Sequence, residues 1–324
     1  MFFLIAKKSA NINFMKIIYF GSTEDSLYTL DILLDKKFEI LDIFTKKSKS
    51  SGRGLKKKSN PIEIYAFENN ISVKTPSTLR NDEDLINYFI STNVDIFVVS
   101  SYGLFIPKEI LNVPKYGAIN IHPSLLPKLR GPSPIASAIL NGELATGVTI
   151  MQLDENMDTG PILEQSNEIL IDIDDNASTL QKKLFRLGSN MLPGILNNIL
   201  QNKQKAIVQN EDDASVTKMI KKNDGRIDWN INDIEIMRKV RAYDTWPGTF
   251  TFWKDIRIKI IDIKITETLS TFNPGYVFFL EKKIFINTKN KLIEITKIQF
   301  ENKKIMNSID VINGYPELNR SYLN

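Results

Sequence analysis

Asn120-Ile121-His122 is the stretch best equipped for chemistry, because His122 is the only histidine among 324 residues and there is no cysteine. A proton transfer near neutral pH that needs an imidazole must use this one. Ile119 and Ile121 alternate with Asn120 and His122, and the two-residue period of a strand sends the polar pair to the face opposite the isoleucines. Both would look the same way, beside a turn opened by Pro123. A lone histidine at a strand end is more often a hydrogen-bonded structural residue, so its company decides. Asp158 stands in a polar loop, Asp154-Glu155-Asn156-Met157-Asp158-Thr159-Gly160-Pro161, after a further candidate strand of the same sheet. Amide, imidazole and carboxylate converging at strand ends can run acyl transfer without a covalent enzyme intermediate. The Asn120 amide and a protonated His122 would donate to the oxygen that becomes negative, and Asp158 would raise the imidazole's pKa and help move a proton from an attacking amine. Ser124 is not expected to be a nucleophile, for it lacks a nucleophile-elbow context.

The elements that must position these groups read as alternating strands and helices. Met15 to Phe20 is an apolar strand, with Ser22 and Asp25 resembling a helix cap; Leu27, Leu30, Leu33 and Leu34 recur at helical spacing, and Phe38 to Phe44 is a second strand. Neither a Gly-x-Gly-x-x-Gly turn nor a phosphate loop follows the first strand, which disfavours a nicotinamide enzyme and a P-loop nucleotide hydrolase. Val94 to Ser100 is a continuous apolar run of the kind buried parallel strands show, and Ser101-Tyr102-Gly103 lies just past its carboxyl end, where open α/β sheets bind ligands. Thr146 to Leu153 and Ile162 to Ile171 read as strands, and Asn176 to about Gln201 as a long helix.

From about residue 202 the texture changes to a polar stretch, then a short helix at Asp233 to Ala242 and five short strands from Thr249 to Ile298, the count of a small antiparallel barrel. The expected division is an extension at 1–14, a catalytic domain at 15–204, a linker at 205–226 and a barrel at 227–324. One segment stands apart: residues 45–60 carry six lysines and Arg53 with no acid, +7 against +4 for the whole chain, so the rest is net negative. Such a Gly/Ser-rich basic loop suits phosphate backbones, and Gly52 and Gly54 let Arg53 approach closely. Without cysteine and with one histidine, the common zinc sites are excluded and no metal is expected. The apolar start, Met1 to Ala6, is shorter than the roughly 7–15 residues of a signal-peptide core, so a soluble cytoplasmic protein is expected, with an organelle matrix the less favoured alternative.

At these residues the chain resembles the 10-formyltetrahydrofolate-dependent formyltransferases. The similarity lies in Asn120-Ile121-His122-Pro123-Ser124-Leu125-Leu126-Pro127, followed by Arg130-Gly131 and then Asp158-Thr159-Gly160, in that order and spacing. The resemblance implies an open, mostly parallel Rossmann-like sheet and an OB-like barrel, with Asn120, His122 and Asp158 as catalytic residues. It also implies that Ser124, Leu125, Leu126 and Pro127, with Tyr102 and Gly103, line the folate crevice, the formyl donor being a co-substrate. The Gly-Arg-Gly loop and the C-terminal region with Trp246-Pro247-Gly248 are similar to the branch acting on methionyl initiator tRNA in translation initiation. For that branch Arg53, Lys56, Lys57 and Lys58 would grip the tRNA, and a monomer is expected. The alternative is formylation of a sugar-nucleotide amine by the same donor; a non-catalytic RNA-binding protein is a third reading. The first turn, Gly21-Ser22-Thr23-Glu24-Asp25, departs from the family's more usual Gly-Thr-Pro, and residues 1–14 have no counterpart in it.

Overall fold

The structure, a computed structural model, describes residues 15–48 and 60–324. The elements β1 (Lys16–Gly21), α1 (Leu27–Asp35), β2 (Glu39–Phe44), α2 (Pro61–Glu68), β3 (Ser72–Lys74), α3 (Glu83–Ser91), β4 (Ile96–Ser100), α4 (Lys108–Leu111) and β5 (Ala118–His122) follow one another. Their strands are parallel in the order β3-β2-β1-β4-β5. β1 and β4 are buried almost throughout, as apolar strands covered on both faces must be. The order runs outward from β1 in both directions, so β1 and β4, paired at Gly21 and Ser100, form the switch point whose carboxyl ends open a crevice.

Beyond β5 come α5 (Pro134–Asn141), β6 (Ala145–Thr146), β7 (Thr149–Gln152), β8 (Ile162–Gln165), β9 (Ile169–Leu170) and α6 (Ala177–Leu200). β7 joins the sheet antiparallel to β5, and β8 antiparallel to β7, completing seven strands of a mostly parallel open sheet. The expected strand over 162–171 is two strands in different sheets, because β9 leaves β8 across the polar residues Ser166 to Glu168 and pairs with β6. The expected helix cap at Ser22 is also absent. Ser22 instead accepts the Lys46 backbone N–H at 3.1 Å.

Among the described residues two compact units emerge, interleaved along the chain: those up to 130, 147–167 and 182–215 form one, while 131–146, 168–181 and 216–324 form the other. The first unit's core beside the crevice is aromatic, with Phe20 against Phe44 and Phe97, both at 5.0 Å between centroids, and Tyr102 edge-on at 5.2 Å. In the second unit α7 (Asp233–Ala242) precedes β10 (Thr249–Trp253), β11 (Ile256–Leu269), β12 (Val277–Leu280), β13 (Lys283–Asn287), β14 (Lys291–Phe300), β15 (Met306–Asn307) and α8 (Ser308–Gly314). These strands are antiparallel in the order β10-β11-β14-β13-β12. The final residues close the gap between the two end strands: Asn324 exchanges backbone hydrogen bonds with Phe252 of β10, and Ser321 accepts from Val277 of β12. Among the described residues no helix is long and apolar enough to cross a membrane.

Candidate functional site

β5 delivers the chemistry as its alternation requires. Ile119 and Ile121 are buried, Asn120 is half-buried, and the His122 side chain is sealed at 3% exposure. His122 is held from both sides. Its Nε2 lies 3.1 Å from the Leu129 carbonyl oxygen, which can only accept, so Nε2 carries the proton. Its Nδ1 faces the Asp158 carboxylate at 3.6 Å, an ion-pair distance but longer than a hydrogen bond. Nδ1 is therefore the nitrogen without a proton, turned toward the carboxylate. Asn120 projects from the same strand face, and among the described residues its carboxamide has no hydrogen-bond partner.

The electrostatics correct one expectation. Burial pulls the His122 pKa below its ordinary value, and the Asp158 charge and the Leu129 hydrogen bond oppose this without reversing it. The carboxylate alone was expected to raise it, and the sealed position of the ring reverses the outcome. The resting imidazole is neutral at pH 7, with a bare Nδ1 able to take a proton.

Two loops meet here, and each holds backbone strain. Leu129 and Asp158 both adopt left-handed φ, 60° and 56°, a conformation costing a branched or carboxylate residue on the order of 1–3 kcal/mol. Gly160 lets the Asp158 loop lie close to β7, since a Cβ there would run into the Gln152 carbonyl oxygen. The Ser124 to Pro127 turn is pinned to the antiparallel edge. Thr149 Oγ1 donates to the Ser124 carbonyl at 2.7 Å and accepts from the Leu126 N–H at 3.0 Å, while Gln165 donates to the Leu126 carbonyl at 2.7 Å. Leu126 packs against Met151 and Ile162. The Ser124 hydroxyl donates to the Lys128 carbonyl at 2.7 Å, a structural commitment that fits the expectation that it is no nucleophile. Leu125 and Pro127 sit half-buried in the same turn.

The other expected crevice residues lie at the carboxyl end of β4. Tyr102 turns its ring into the aromatic core, and its buried hydroxyl has no hydrogen-bond partner among the described residues; burial pushes the phenol well above its ordinary range. Gly103, at φ 70°, leaves room for the Lys46 side chain to lie over the backbone. Arg53, Lys56, Lys57 and Lys58 lie outside the described residues. The stems flanking them are tied together: buried Asn60 donates to Thr45 Oγ1 at 2.7 Å and to the Lys46 carbonyl at 2.8 Å.

Sequence reasoning missed the groups that brace His122 and Asp158. Gln209 and Ser215 come from the polar stretch expected as a linker, which carries no periodicity to flag them. Residues up to 215 belong to the first compact unit. The Leu129 carbonyl had no signal at all, because its role follows from backbone conformation.

Comparison with known proteins agrees with this architecture. The Formyl transferase family model matches residues 15–196, and its C-terminal domain model matches residues 219–316. The methionyl-tRNA formyltransferase of Ehrlichia chaffeensis is 42% identical over 311 residues, 95% of this chain and 99% of that one. That of Chloroflexus aggregans is 36% identical over 296 residues, 90% and 94%. Among solved structures, the sugar 3N-formyl transferase WlaRD, with dTDP and 5-N-formyl-THF, superposes with a TM-score of 0.64 at 24% identity, covering 90% of this chain and 99% of that one. HypX from Aquifex aeolicus in complex with tetrahydrofolic acid gives 0.65 at 18%, covering 92% and 47%. At these identities the structural likeness speaks to the fold.

Proposed function

From the premise that this chain belongs to the formyl transferase family, we propose how the His122 site works and on what. The chain is a methionyl-tRNA formyltransferase, an enzyme that places a formyl group on the α-amino group of methionine carried by initiator tRNA. The observation that carries this reading is identity of 42% across nearly the whole of both chains to a relative of that name, against 24% to the sugar enzyme.

We assign the donor as 10-formyltetrahydrofolate. The folates bound in the HypX and WlaRD structures support that choice, and so does an apolar turn at Leu125, Leu126 and Pro127 beside His122. The neutral amine forms a bond to the formyl carbon while the carbonyl oxygen becomes negative. The Asn120 amide, without a hydrogen-bond partner among the described residues, donates to that oxygen. The amine's proton charges the His122–Asp158 pair through Nδ1, and the resulting imidazolium adds a second donor. Collapse breaks the carbon–nitrogen bond of the donor, whose nitrogen takes the proton back. A resting neutral imidazole fits this cycle, because it must accept before it donates.

We assign Arg53, Lys56, Lys57 and Lys58 to the tRNA backbone. A segment of +7 in a chain whose remainder is negative supports that role. The deciding experiment compares formyl transfer to charged initiator tRNA and to an amino-sugar nucleotide, with and without the folate donor. Folate-dependent transfer to tRNA alone is expected; transfer to the sugar alone refutes the reading.

A further inference from the structure

The polar segment after α6 does more than connect. Ile207 exchanges two backbone hydrogen bonds of 2.8 Å with Ile162 of β8, which lays the following residues against the Asp158 loop. Two residues on, the buried Gln209 spends its whole side chain there. Its Nε2 donates to the Asp158 carbonyl at 2.9 Å and to the Gly160 carbonyl at 2.7 Å, and its Oε1 accepts from Arg130 Nε at 2.9 Å. Arg130 is itself buried, and its two remaining nitrogens make a bidentate pair with Glu211 at 2.9 and 2.8 Å. The segment then reaches the other side of the imidazole. Ser215 Oγ accepts from the Leu129 N–H at 2.8 Å, and the Ser215 carbonyl accepts from the Arg130 N–H at 2.8 Å.

One stretch of nine residues thus bonds to both left-handed residues that flank His122. Leu129 supplies the carbonyl on Nε2, and Asp158 supplies the carboxylate facing Nδ1. Left-handed backbone at such residues persists only where the surroundings over-determine it. Gln209 and Ser215 provide that over-determination, and Arg130 joins the two ends, its guanidinium bonding Gln209 and its backbone N–H the Ser215 carbonyl. We propose that residues 207–215 act as a positioning strap, in which Gln209, Ser215 and Arg130 set the geometry of the His122–Asp158 pair. None of the three is a catalytic residue; each acts through another. This inference rests on the assignment of His122 and Asp158 as the reacting pair.

The amide of Gln209 matters for a reason that a substitution can isolate. A glutamate keeps the size and the bond from Arg130, but it has no N–H, so two carbonyl oxygens would face a carboxylate across less than 3 Å. Gln209→Glu therefore releases the Asp158 loop while leaving the Arg130 contact, and Gln209→Met releases both. Ser215→Ala removes only the Leu129 N–H partner at the far end.

Because His122 is the only imidazole, tag-free protein labelled with 13C,15N-histidine gives one set of ring resonances, and no assignment is needed. The charged groups that bear on that ring and its loops are Asp158, Arg130 and, through Arg130, Glu211 and Asp154. We expect Gln209→Glu and Gln209→Met to move the Nδ1 resonance and its titration midpoint, and to lower kcat on methionyl-tRNA by about 10–100-fold, the scale of a sub-ångström to ångström misplacement. KM for tRNA should stay within about two-fold, and Ser215→Ala should move chiefly Nε2. The inference is overturned if folded Gln209 variants keep wild-type ring resonances, pH profile and kcat. Should those variants fail to fold, Ser215→Ala with unmoved Nε2 and unchanged kcat overturns it equally. The ring resonances need no substrate, so shifted resonances in a protein that does not formylate tRNA would sink the functional reading and leave the strap standing.

Discussion

Adding one methyl group at Gly160 tests whether the Asp158 loop is as tightly specified as the structure implies. A Cβ built on Gly160 would stand more than an ångström closer to the Gln152 carbonyl oxygen than the 3.0 Å below which real Cβ atoms are essentially not found, and 3.0 Å from the carbonyl carbon. The obstacle is backbone, and it cannot swing away. Gln152 ends β7, and its N–H donates to the Pro161 carbonyl at 2.9 Å, so the two chains are already locked together. Relief requires the 158–161 backbone to part from β7 by about 1 Å, which also strains the 2.7 Å bond from Gln209 to the Gly160 carbonyl. Overpacking of this kind costs about 1–3 kcal/mol in stability. Its effect on rate follows from distance in the chain: Asp158 is two residues away, and an ångström of misplacement at a reacting group costs about 100-fold. Gly160→Ala should therefore fold with a lowered Tm and lose about 100-fold in single-turnover formyl transfer to methionyl-tRNA. The control is the same chemical change at Gly194, exposed in α6 with nothing within 4 Å of a built Cβ. A Gly160→Ala enzyme with a rate constant within three-fold of wild type would refute the claim that this loop's backbone fixes the carboxylate.

Gly194→Ala should raise stability by about 0.5–1 kcal/mol, since alanine loses less backbone freedom in a helix, and leave kcat untouched; denaturant midpoints and steady-state rates check both. His122→Asn should lower kcat by at least about 100-fold by removing the group that takes and returns the proton. It should also make the fold less sensitive to acid. The folded imidazole titrates below its unfolded value of about 6.5, so the wild type has its full stability above that pH and loses some as pH falls through the lower folded value. The urea midpoint of His122→Asn should drop less than that of the wild type between pH 7.5 and 5, and an equal or larger drop would show the ring is not held neutral. Arg53→Ala should flatten the dependence of tRNA KM on salt by about one unit of log-log slope while folate binding is unchanged; an unaltered slope would remove Arg53 from the phosphate contacts.

How far the site could be read from residues alone depended on whether its groups announce themselves through spacing. Asn120 and His122 did, because a period-two strand leaves no choice of face once Ile119 and Ile121 are inside, and both isoleucines are buried. Asp158 follows a strand of the same sheet, but that strand, β7, runs antiparallel to β5 and ends opposite Ile119, so strand order alone does not bring it to His122; the loop after β7 does. The open, mostly parallel sheet and the antiparallel C-terminal strands were legible from spacing. The strand expected over 162–171 failed where apolar residues continued across a change of sheet, since periodicity records burial and is silent about which partner provides it.

The support of the pair was not legible for a different reason. Gln209 and Ser215 act through single amides and hydroxyls on backbone carbonyls and N–H groups, interactions that impose no pattern on neighbouring residues. The same blindness explains the direction of the His122 shift. A carboxylate nearby could be anticipated from Asp158, but the desolvation that outweighs it comes from packing of the whole turn around the ring. The two misses are physically one. The turns that deny water to the imidazole are those the strap fastens at Leu129 and Asp158, so what holds the ring in place also disfavours its charged form.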